Sequence, residues 1–386
     1  MLRRYTEFSQ AEFQARHRRA QALMEEQGLD ALMITDRLNY AYFTGHRSEQ
    51  SPIDKIRPYV FILPRSGEGV LITMEFEKRQ VLETTWIENI HIAGLRGRAE
   101  PVIEVIRKLG LDKGRIGAEL GREQYLGISP NEYDGIRNGL ADATFVDAAP
   151  LILKLRATKS PAEVAYIRRA GELLSVSMLE TFDAVKVGMT EIDIMRTLRT
   201  RIAHNGGERV TFMWVVSSQD GMIAGPTERR MQAGDLLVLD AGVEYRGYCS
   251  DVSRSASLGT PNDDLAEFYA WMSQAVRIGV DHLRVGNTPR GVVEAVREFC
   301  RKRGLEAGMS GRIGHGVGLA STEYPSLDAA EPIVFEEGMV FACNPNFYFG
   351  DYGWLNNEDN WVVTADGPPE LLSAPAGSGQ LHVIRV

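Results

Sequence analysis

The sequence predicts a mixed α/β (α+β) fold made of two domains. The chain has 386 residues, a length typical of two or three domains. Helical and strand periodicities alternate along its first part, as in an α/β layer domain. Ser160, Pro161 and Glu163 then have the residue types of an N-cap, a first helical position and a capping box. We therefore predict one domain over residues 1–153 and a second over residues 154–386.

Local patterns predict the elements of both domains. Phe13, Ala20 and Met24 recur at helical spacing, and Gly28 follows as a helix stop. Short apolar runs elsewhere are typical of buried strands. In the first domain these patterns predict helices 11–27, 75–83 and 101–109 and strands 31–35, 59–63 and 69–73. In the second they predict helices 161–182, 191–205, 264–278 and 289–303, strands 212–217 and 236–240, and several C-terminal strands.

Composition argues against several classes of function. Hydrophobic residues make up 44% and charged residues 25% of the chain, typical of a globular protein. The net charge of −9 argues against nucleic acid or an anionic membrane as partner. No apolar stretch reaches the roughly 20 residues of a membrane span, and the N-terminus lacks a signal-peptide pattern. Together with three widely spaced cysteines, these features predict a cytoplasmic protein.

Asp240 and Asp251 point most directly to chemistry. Asp240 ends an apolar strand run, the chain turns at Gly247, and a second strand carries Asp251. Two aspartates on adjacent antiparallel strands converge if both face the same side, and hard divalent cations prefer carboxylate ligands. The alternative is that each aspartate caps neighbouring amides, although burying an unpaired aspartate is costly.

His315 and Glu358 could complete such a site. His315 lies between glycines, where the backbone can approach a ligand or another strand closely. Glu358 lies just before an apolar strand. Taken singly, the histidine is more typical of a structural residue and the glutamate of a turn. Their order along the chain, after two aspartates, is what favours a cation site.

This ordered set resembles the pita-bread superfamily of methionine and Xaa-Pro aminopeptidases, prolidase and creatinase. The matching motifs are Val238-Leu-Asp-Ala-Gly, Gly247-Tyr-Cys-Ser-Asp-Val-Ser-Arg, Gly314-His-Gly-Val-Gly-Leu, Glu323-Tyr-Pro and Glu337-Gly-Met-Val-Phe. In the first half, residues 39–45 are similar to a strand-and-loop phrase of creatinase-type domains. The resemblance covers essentially the whole chain. It implies a creatinase-type N-terminal domain followed by a pita-bread domain with a curved, mostly antiparallel sheet.

The resemblance also implies a metal site. Carried over position by position, its ligands fall on Asp240, Asp251, His315, Glu358 and position 344. The family has a glutamate before a proline at the last of these, whereas this chain has Asn344 before Pro345. Asparagine offers a neutral oxygen, so we expect a weaker site that still holds one ion. The implied cofactor is a divalent transition metal (Mn, Fe, Co or Zn), as one or two ions, with a metal-free protein as the alternative.

Two histidines of the family's peptidases have no counterpart here. Thr322 stands before Glu323 where a histidine usually precedes the glutamate, and residues 217–227 contain no imidazole. In those peptidases the histidines bind the substrate carbonyl and stabilise the tetrahedral intermediate. Without a replacement, their loss slows peptide hydrolysis by several powers of ten. We therefore expect this chain to differ from an ordinary proline peptidase.

Three functions stay open from the sequence. The first is a metal-dependent hydrolase of a small amide or dipeptide-like substrate, with Glu358 or Glu323 as catalytic proton carrier. The second is a non-peptidase pita-bread enzyme, a creatinase-like C–N hydrolase or a dimethylsulfoniopropionate-type lyase, acting on a small cationic substrate. The candidates for cation–π contacts to that substrate are Tyr40, Tyr42, Phe347, Tyr348, Trp354 and Trp361. The third is a non-catalytic protein that binds a partner protein.

The resemblance finally implies a homodimer. In creatinase-type relatives the N-terminal domain of one subunit borders the active site of the other, so we expect residues 44–57 to reach across. His46, Arg47 and Arg57 are then candidates for substrate binding, because arginine suits a carboxylate. Solvated loop charges are the alternative for each of them.

Overall fold

The computed structural model describes residues 5–47, 59–94, 99–217, 225–305, 309–310, 312–350, 353–374 and 380–386. The chain divides into two compact units, Met1–Arg156 and Ala157–Val386. Both contain helices and sheets, which confirms the predicted α/β class. None of the helices in the described part of the chain combines the length and hydrophobicity needed to cross a bilayer.

The first unit is built around one mixed sheet. Its helices are α1 (Gln10–Glu26), α2 (Arg37–Thr44), α3 (Lys78–Thr84, after the 3₁₀ turn Glu75–Glu77), α4 (Ala99–Lys108), α5 (Pro130–Gly139) and α6 (Ala149–Ala157). Its strands are β1 (Ala31–Ile34), β2 (Val60–Pro64), β3 (Val70–Met74), β4 (Ile90–Ala93), β5 (Arg115–Ala118) and β6 (Thr144–Asp147). The strand order is β4-β3-β2-β1-β5-β6, with β2 antiparallel to both of its neighbours and the other pairs parallel.

One local expectation was wrong, because residues 39–45 are mostly helical rather than strand and loop. Asp36 caps α2 by accepting hydrogen bonds from the backbone N–H groups of Leu38 and Asn39, at 2.9 and 3.2 Å. Gly45 ends the helix in the left-handed conformation, with φ of 76°. These two caps decide the local structure, and the aromatic side chains of the segment are buried from a helix instead of a strand.

The second unit contains longer helices and three sheets. Its helices are α7 (Pro161–Ala184), α8 (Glu191–His204), α9 (Asp263–Asp281) and α10 (Pro289–Lys302). Its strands are β7 (Arg209–Ser217), β8 (Leu236–Tyr245), β9 (Tyr248–Leu258), β10 (Met309–Ser310), β11 (Gly314–Gly316), β12 (Glu323–Ser326), β13 (Val340–Cys343), β14 (Asn346–Phe349), β15 (Gly353–Leu355), β16 (Asn360–Val362), β17 (Glu370–Leu371) and β18 (His382–Ile384). The described sheet orders are β18-β9-β8-β7, β12-β11-β13-β16-β17 and β10-β14-β15.

The sheets of this unit are mostly antiparallel, as predicted. Among the described pairs only β18 beside β9 is parallel.

The predicted start of α7 is also confirmed. Ser160 Oγ accepts a hydrogen bond from the Glu163 N–H at 3.3 Å, and Glu163 Oε2 accepts one from the Ser160 N–H at 2.8 Å, with Pro161 at the first helical position.

Strand β8 begins with the apolar run 236–239, because both of its faces are buried there. Leu237 and Leu239 pack in a core with α7 and α8, whereas Leu236 and Val238 pack on the opposite face in a core with α9 and α10. Side chains alternate between the two faces of a strand, so Asp240 continues the second set. The acidic side chain therefore projects from the α9–α10 face of the four-stranded sheet.

Candidate metal centre

The hairpin of β8 and β9 brings the two predicted aspartates onto one face. Asp240 pairs with Ser253 across the hairpin, and Gly242 pairs with Asp251. Residues opposite each other on antiparallel strands point to the same face, so both carboxylates project together. Asp240 and Asp251 are only 6% and 3% exposed, which makes an unpaired charge on either costly.

His315 approaches this face from β11 with its Nε2 atom free to act as a ligand. Its Nδ1–H donates to the carbonyl oxygen of Gly316 at 3.1 Å, which leaves the lone pair of the neutral ring on Nε2. That Nε2 atom lies 3.5 Å from Asp251 Oδ2 and 3.6 Å from Glu358 Oε1. A lone pair facing two carboxylate oxygens is repulsive unless a proton or a cation lies among them.

Glu358 is held in place through its own backbone. Its N–H donates to the carbonyl of Ser253 at 3.1 Å, and its carbonyl accepts from the Ser253 N–H at 3.2 Å. Arg254 Nη1 donates to the same carbonyl oxygen at 2.7 Å. The other Arg254 nitrogen, Nη2, donates to Asp359 Oδ1 at 2.5 Å, and both side chains of that ion pair are largely buried. The position of the glutamate thus depends on a buried ion pair beside it.

Two asparagine amides contact the carboxylates. Asn344 Nδ2 and Asn356 Nδ2 both donate to Glu358 Oε2, at 3.0 and 3.1 Å, and Asn356 Nδ2 also lies 3.3 Å from Asp240 Oδ2. Asn344, predicted at the position of the fifth ligand, therefore contacts the cluster through Glu358. Asn356 was not predicted, although its position two residues before Glu358 was a usable signal, because residues i and i+2 of an extended chain share a face.

Several oxygens of this cluster have no hydrogen-bond donor among the described residues. They are Asp240 Oδ1, Asp251 Oδ1, Glu358 Oε1, Asn344 Oδ1 and Asn356 Oδ1. One ligand atom each of Asp251, His315 and Glu358 also lie within 4.8 Å of one another. Buried oxygens without donors, beside an unprotonated imidazole nitrogen, are a donor set suited to a divalent cation, so the residues present fit a metal ion.

Burial and mutual repulsion change the pKa values of the cluster. Burial raises the pKa of Asp240 to about 7. It raises the pKa of Asp251 and of Glu358 well above their usual values, with further upward contributions from the neighbouring carboxylates. Burial also lowers the pKa of His315 to about 3, with Arg312 adding to the effect. The ring is therefore neutral at ordinary pH, as a metal ligand must be.

Glu323, predicted as a proton carrier, lies on β12 beside β11. Its Oε1 atom forms an ion pair with Lys159 Nζ at 2.9 Å, and both side chains are buried. Its Oε2 atom accepts a hydrogen bond from the Ala320 N–H at 3.4 Å. Lys159 is not predictable as a partner from the sequence, because the two residues are far apart in the chain and a lysine next to a cap such as Ser160 is typical of a helix start.

The predicted substrate-binding residues belong to the first unit. His46 is 1% exposed, and its Nδ1 atom lies 2.7 Å from Thr84 Oγ1. Arg47 Nη2 lies 3.5 Å from Glu7 Oε1. Arg57 lies outside the described residues. Of the proposed cation–π aromatics, Tyr40, Tyr42, Phe347 and Trp354 are buried, and Tyr348 and Trp361 pack partly buried against the core of the second unit.

Two family models match the chain. The model described as metallopeptidase family M24 matches residues 165–365, just over half of the chain. The chain belongs to this family. A model described as the creatinase/prolidase N-terminal domain matches residues 16–158. These matches confirm the resemblance to the pita-bread superfamily with a creatinase-type N-terminal domain. Membership of M24, whose enzymes use divalent metals, makes this chain a peptidase-like hydrolase.

Curated relatives and solved structures of M24 proteins align with nearly the whole chain. The Xaa-Pro dipeptidase of Lactobacillus helveticus is 26% identical over 357 residues, 90% of this chain and 94% of that protein. The uncharacterized peptidase YqhT of Bacillus subtilis is 24% identical over 356 residues, 92% of this chain and 96% of that protein. The structure of dipeptidase PepE from Mycobacterium ulcerans has a TM-score of 0.83 at 26% identity and covers 98% of this chain and 100% of its own. The X-Pro aminopeptidase structure from Thermotoga maritima has a TM-score of 0.82 at 23% identity, covers 95% of this chain and 99% of its own, and shows the shared fold.

Proposed function

We propose that this chain is a metal-dependent hydrolase of dipeptide-like or other small amide substrates, and that it uses one divalent cation. The observation that carries the proposal is the buried donor set. Asp240, Asp251 and Glu358 each keep a carboxylate oxygen without a hydrogen-bond donor among the described residues, and His315 Nε2 lies 3.5 Å from Asp251 Oδ2 and 3.6 Å from Glu358 Oε1. The similarity to a Xaa-Pro dipeptidase supports an amide substrate. Imidazole and carboxylate ligation suits manganese, iron, cobalt or zinc.

Charge and hydrogen bonding favour one ion over two. Asp240, Asp251 and Glu358 supply three negative charges, because position 344 holds a neutral asparagine. One divalent cation leaves a net charge of −1 on the three carboxylates and two leave +1, so the balance itself is even, but the neutral Asn344 removes an anionic ligand that a second ion would need. Two amide N–H groups also occupy Glu358 Oε2, so only its Oε1 atom faces the histidine.

A divalent cation bound here would polarise a substrate carbonyl and lower the pKa of a water molecule. Two glutamates would provide the other functions of the site, proton transfer and positioning of a loop. We assign the proton-carrier role to Glu358, because its Oε1 atom has no hydrogen-bond donor among the described residues and lies beside the other ligand atoms. Glu323 is fixed by Lys159 and would hold the loop after His315 in place.

A second candidate is a creatinase-like C–N hydrolase or a lyase acting on a small cationic substrate. The lack of a histidine at Thr322 and within residues 217–227 favours it, since the usual carbonyl-binding imidazoles are missing. After one divalent cation binds, the three carboxylates leave a net negative charge, which would attract a cationic substrate.

The test is metal content per chain by elemental mass spectrometry, on protein purified without chelator or nickel resin, combined with assays on Xaa-Pro dipeptides and small amides. About one equivalent of a transition metal, with hydrolysis that chelation abolishes, is the expected result. A protein that stays metal-free after incubation with manganese, iron, cobalt and zinc would overturn the metallohydrolase proposal. Metal binding without amide hydrolysis would turn attention to small cationic substrates.

Asn344→Glu tests the charge argument. The substitution places a fourth carboxylate beside Glu358, so we expect tighter metal binding and an increase from one bound equivalent toward two. Titration with manganese followed by calorimetry measures both. Asn344→Gln is the matched control, because it lengthens the side chain without adding charge and should not bind a second ion. An unchanged dissociation constant and stoichiometry in Asn344→Glu would show that charge at this position does not limit the site.

The homodimer and the cytoplasmic location stay predictions from the sequence. The roles of His46, Arg47 and Arg57 in substrate binding also stay predictions, and all three depend on the dimer. Sedimentation equilibrium of the full chain tests whether it forms a homodimer.

A further inference from the structure

Trp214 lies beside the metal centre on the same face of the sheet. On strand β7, Trp214 pairs directly with Asp240 of β8, which in turn pairs with Ser253 of β9. Directly opposed residues of antiparallel strands project from the same face, with Cβ atoms about 5 Å apart. The indole of Trp214 therefore rises from the sheet next to the Asp240 carboxylate.

Residues paired directly across β7, β8 and β9 form a row on the sheet. The rows on either side of the one that contains Trp214 are filled by the protein itself. In the row of Gly242 and Asp251, a Cβ atom on Gly242 would lie 2.1 Å from Ser321 Oγ and 2.2 Å from Thr211 Oγ1, so this row is closed. In the row of Val238, the neighbouring β7 residue Val216 packs against the core shared with α9 and α10. The row of Asp240 and Trp214 is thus bounded on both sides.

The indole in this row is exposed, unlike the residues around it. Trp214 is 37% exposed, whereas Asp240 next to it is 6% exposed. Among the described residues of the second unit, no other phenylalanine, tyrosine or tryptophan is exposed. Strand β7 is also the last strand of its sheet in the described order. A large aromatic surface open at the edge of a buried acidic cluster is typical of a ligand-binding wall.

The chemistry of the two neighbours indicates what binds there. Asp240 belongs to the carboxylate cluster, which keeps a net negative charge after one divalent cation binds and therefore suits a cationic amino group. The indole offers a flat apolar face that suits an aliphatic or aromatic side chain. In a dipeptide-like substrate these two groups belong to the same residue, the one with the free amine.

We propose that Trp214 is a specificity-determining residue that binds the apolar side chain of the amino-terminal residue of the substrate. This inference rests on the proposed function. It predicts a preference for dipeptide-like amides whose first residue is phenylalanine or leucine over those whose first residue is glycine.

The test compares Phe-Pro, Leu-Pro and Gly-Pro as substrates of the metal-loaded full chain and of Trp214→Ala and Trp214→Phe. In Trp214→Ala we expect KM for Phe-Pro to rise about tenfold to a hundredfold, with kcat for every substrate and KM for Gly-Pro nearly unchanged. Trp214→Phe should keep most of the preference. Trp271→Phe replaces a partly buried indole of helix α9 and controls for the loss of a tryptophan.

Several results would overturn the inference. A wild-type protein with no preference for Phe-Pro over Gly-Pro would do so, as would an equal loss for both substrates in Trp214→Ala. If the wild type hydrolyses none of the dipeptides, the proposed function fails separately, and calorimetry still measures binding. Tighter binding of Phe-Pro than Gly-Pro, lost in Trp214→Ala, would then support the Trp214 pocket, and its absence would overturn it.

Discussion

Glu119 of the first unit and Glu358 of the second are both 1% exposed, but their oxygens are satisfied very differently. Glu119 Oε2 accepts hydrogen bonds from Thr35 N–H at 2.7 Å, Thr35 Oγ1 at 2.8 Å and Asp36 N–H at 2.8 Å. Its Oε1 atom accepts one from Asn39 Nδ2 at 2.7 Å. Glu358 receives amide donors at Oε2 alone, and its Oε1 atom faces the lone pair of a neutral histidine.

The difference shows which property separates a structural carboxylate from a candidate ligand. Burial raises the pKa of both, to about 7 for Glu119 and well above the usual value for Glu358, so a raised pKa does not distinguish them. The hydrogen-bond donors around each carboxylate distinguish the two residues. A buried carboxylate with a donor for each oxygen stabilises its fold, whereas one that keeps an oxygen without a donor near other ligand atoms is suited to a cation.

Glu358→Gln should have the largest effect on metal binding. It removes a negative charge and places an amide in the donor set, so we expect the metal dissociation constant to rise more than about a hundredfold. Competition with a chromophoric chelator measures the constant. Glu119→Gln is the matched control and should leave metal affinity unchanged. Equal losses in the two variants would mean that the comparison between the two carboxylates does not identify the metal site.

Arg254→Lys should have a smaller effect on the same measurement. Arg254 donates to the Glu358 carbonyl and pairs with Asp359, and lysine cannot make both contacts with one planar group. We expect metal affinity to fall about tenfold and the visible spectrum of the cobalt-loaded protein to change, because Glu358, a proposed metal ligand, shifts when its carbonyl loses this contact.

Arg229→Lys is the control for this substitution. It alters another Arg–Asp pair of the second unit, with hydrogen bonds of 2.7 and 2.9 Å to Asp235. It should lower stability without changing the cobalt spectrum. An Arg254→Lys protein with the wild-type spectrum and affinity would restrict Arg254 to a role in stability.

The smallest expected effect is on the pH dependence of stability, and it concerns Glu119. Its folded pKa of about 7, raised by burial and by Asp36, lies above the unfolded value. Between these two pKa values the folded state binds more protons than the unfolded state. The stabilisation that this group contributes to the free energy of unfolding is therefore greatest below about pH 4.3 and is lost as the pH rises toward 7. Glu119→Gln should reduce that decline between pH 5 and pH 8 by about 1–3 kcal/mol. Urea unfolding at several pH values measures it, and identical pH profiles for the two proteins would contradict the shift.

Local patterns in the sequence predicted many of the elements and several of the site residues. The capping residues Ser160 and Glu163 lie three positions apart, and Asp240 and Asp251 lie on strands joined by one tight turn, so neighbours in sequence determine these features. The segment 39–45 shows the limit of such patterns, because the cap at Asp36 lies outside the motif that suggested a strand.

The sequence by itself determined the α/β class, the hairpin that carries the two aspartates, and the order of the acidic and imidazole residues. Only the tertiary structure decided which oxygens keep no donor, that Lys159 pairs with Glu323, and that Trp214 stays exposed beside Asp240. The physical reason is the range of the interactions. Capping and strand alternation act over a few residues, whereas hydrogen-bond satisfaction and exposure depend on side chains brought together from segments more than a hundred residues apart, such as Asn356 beside Asp240.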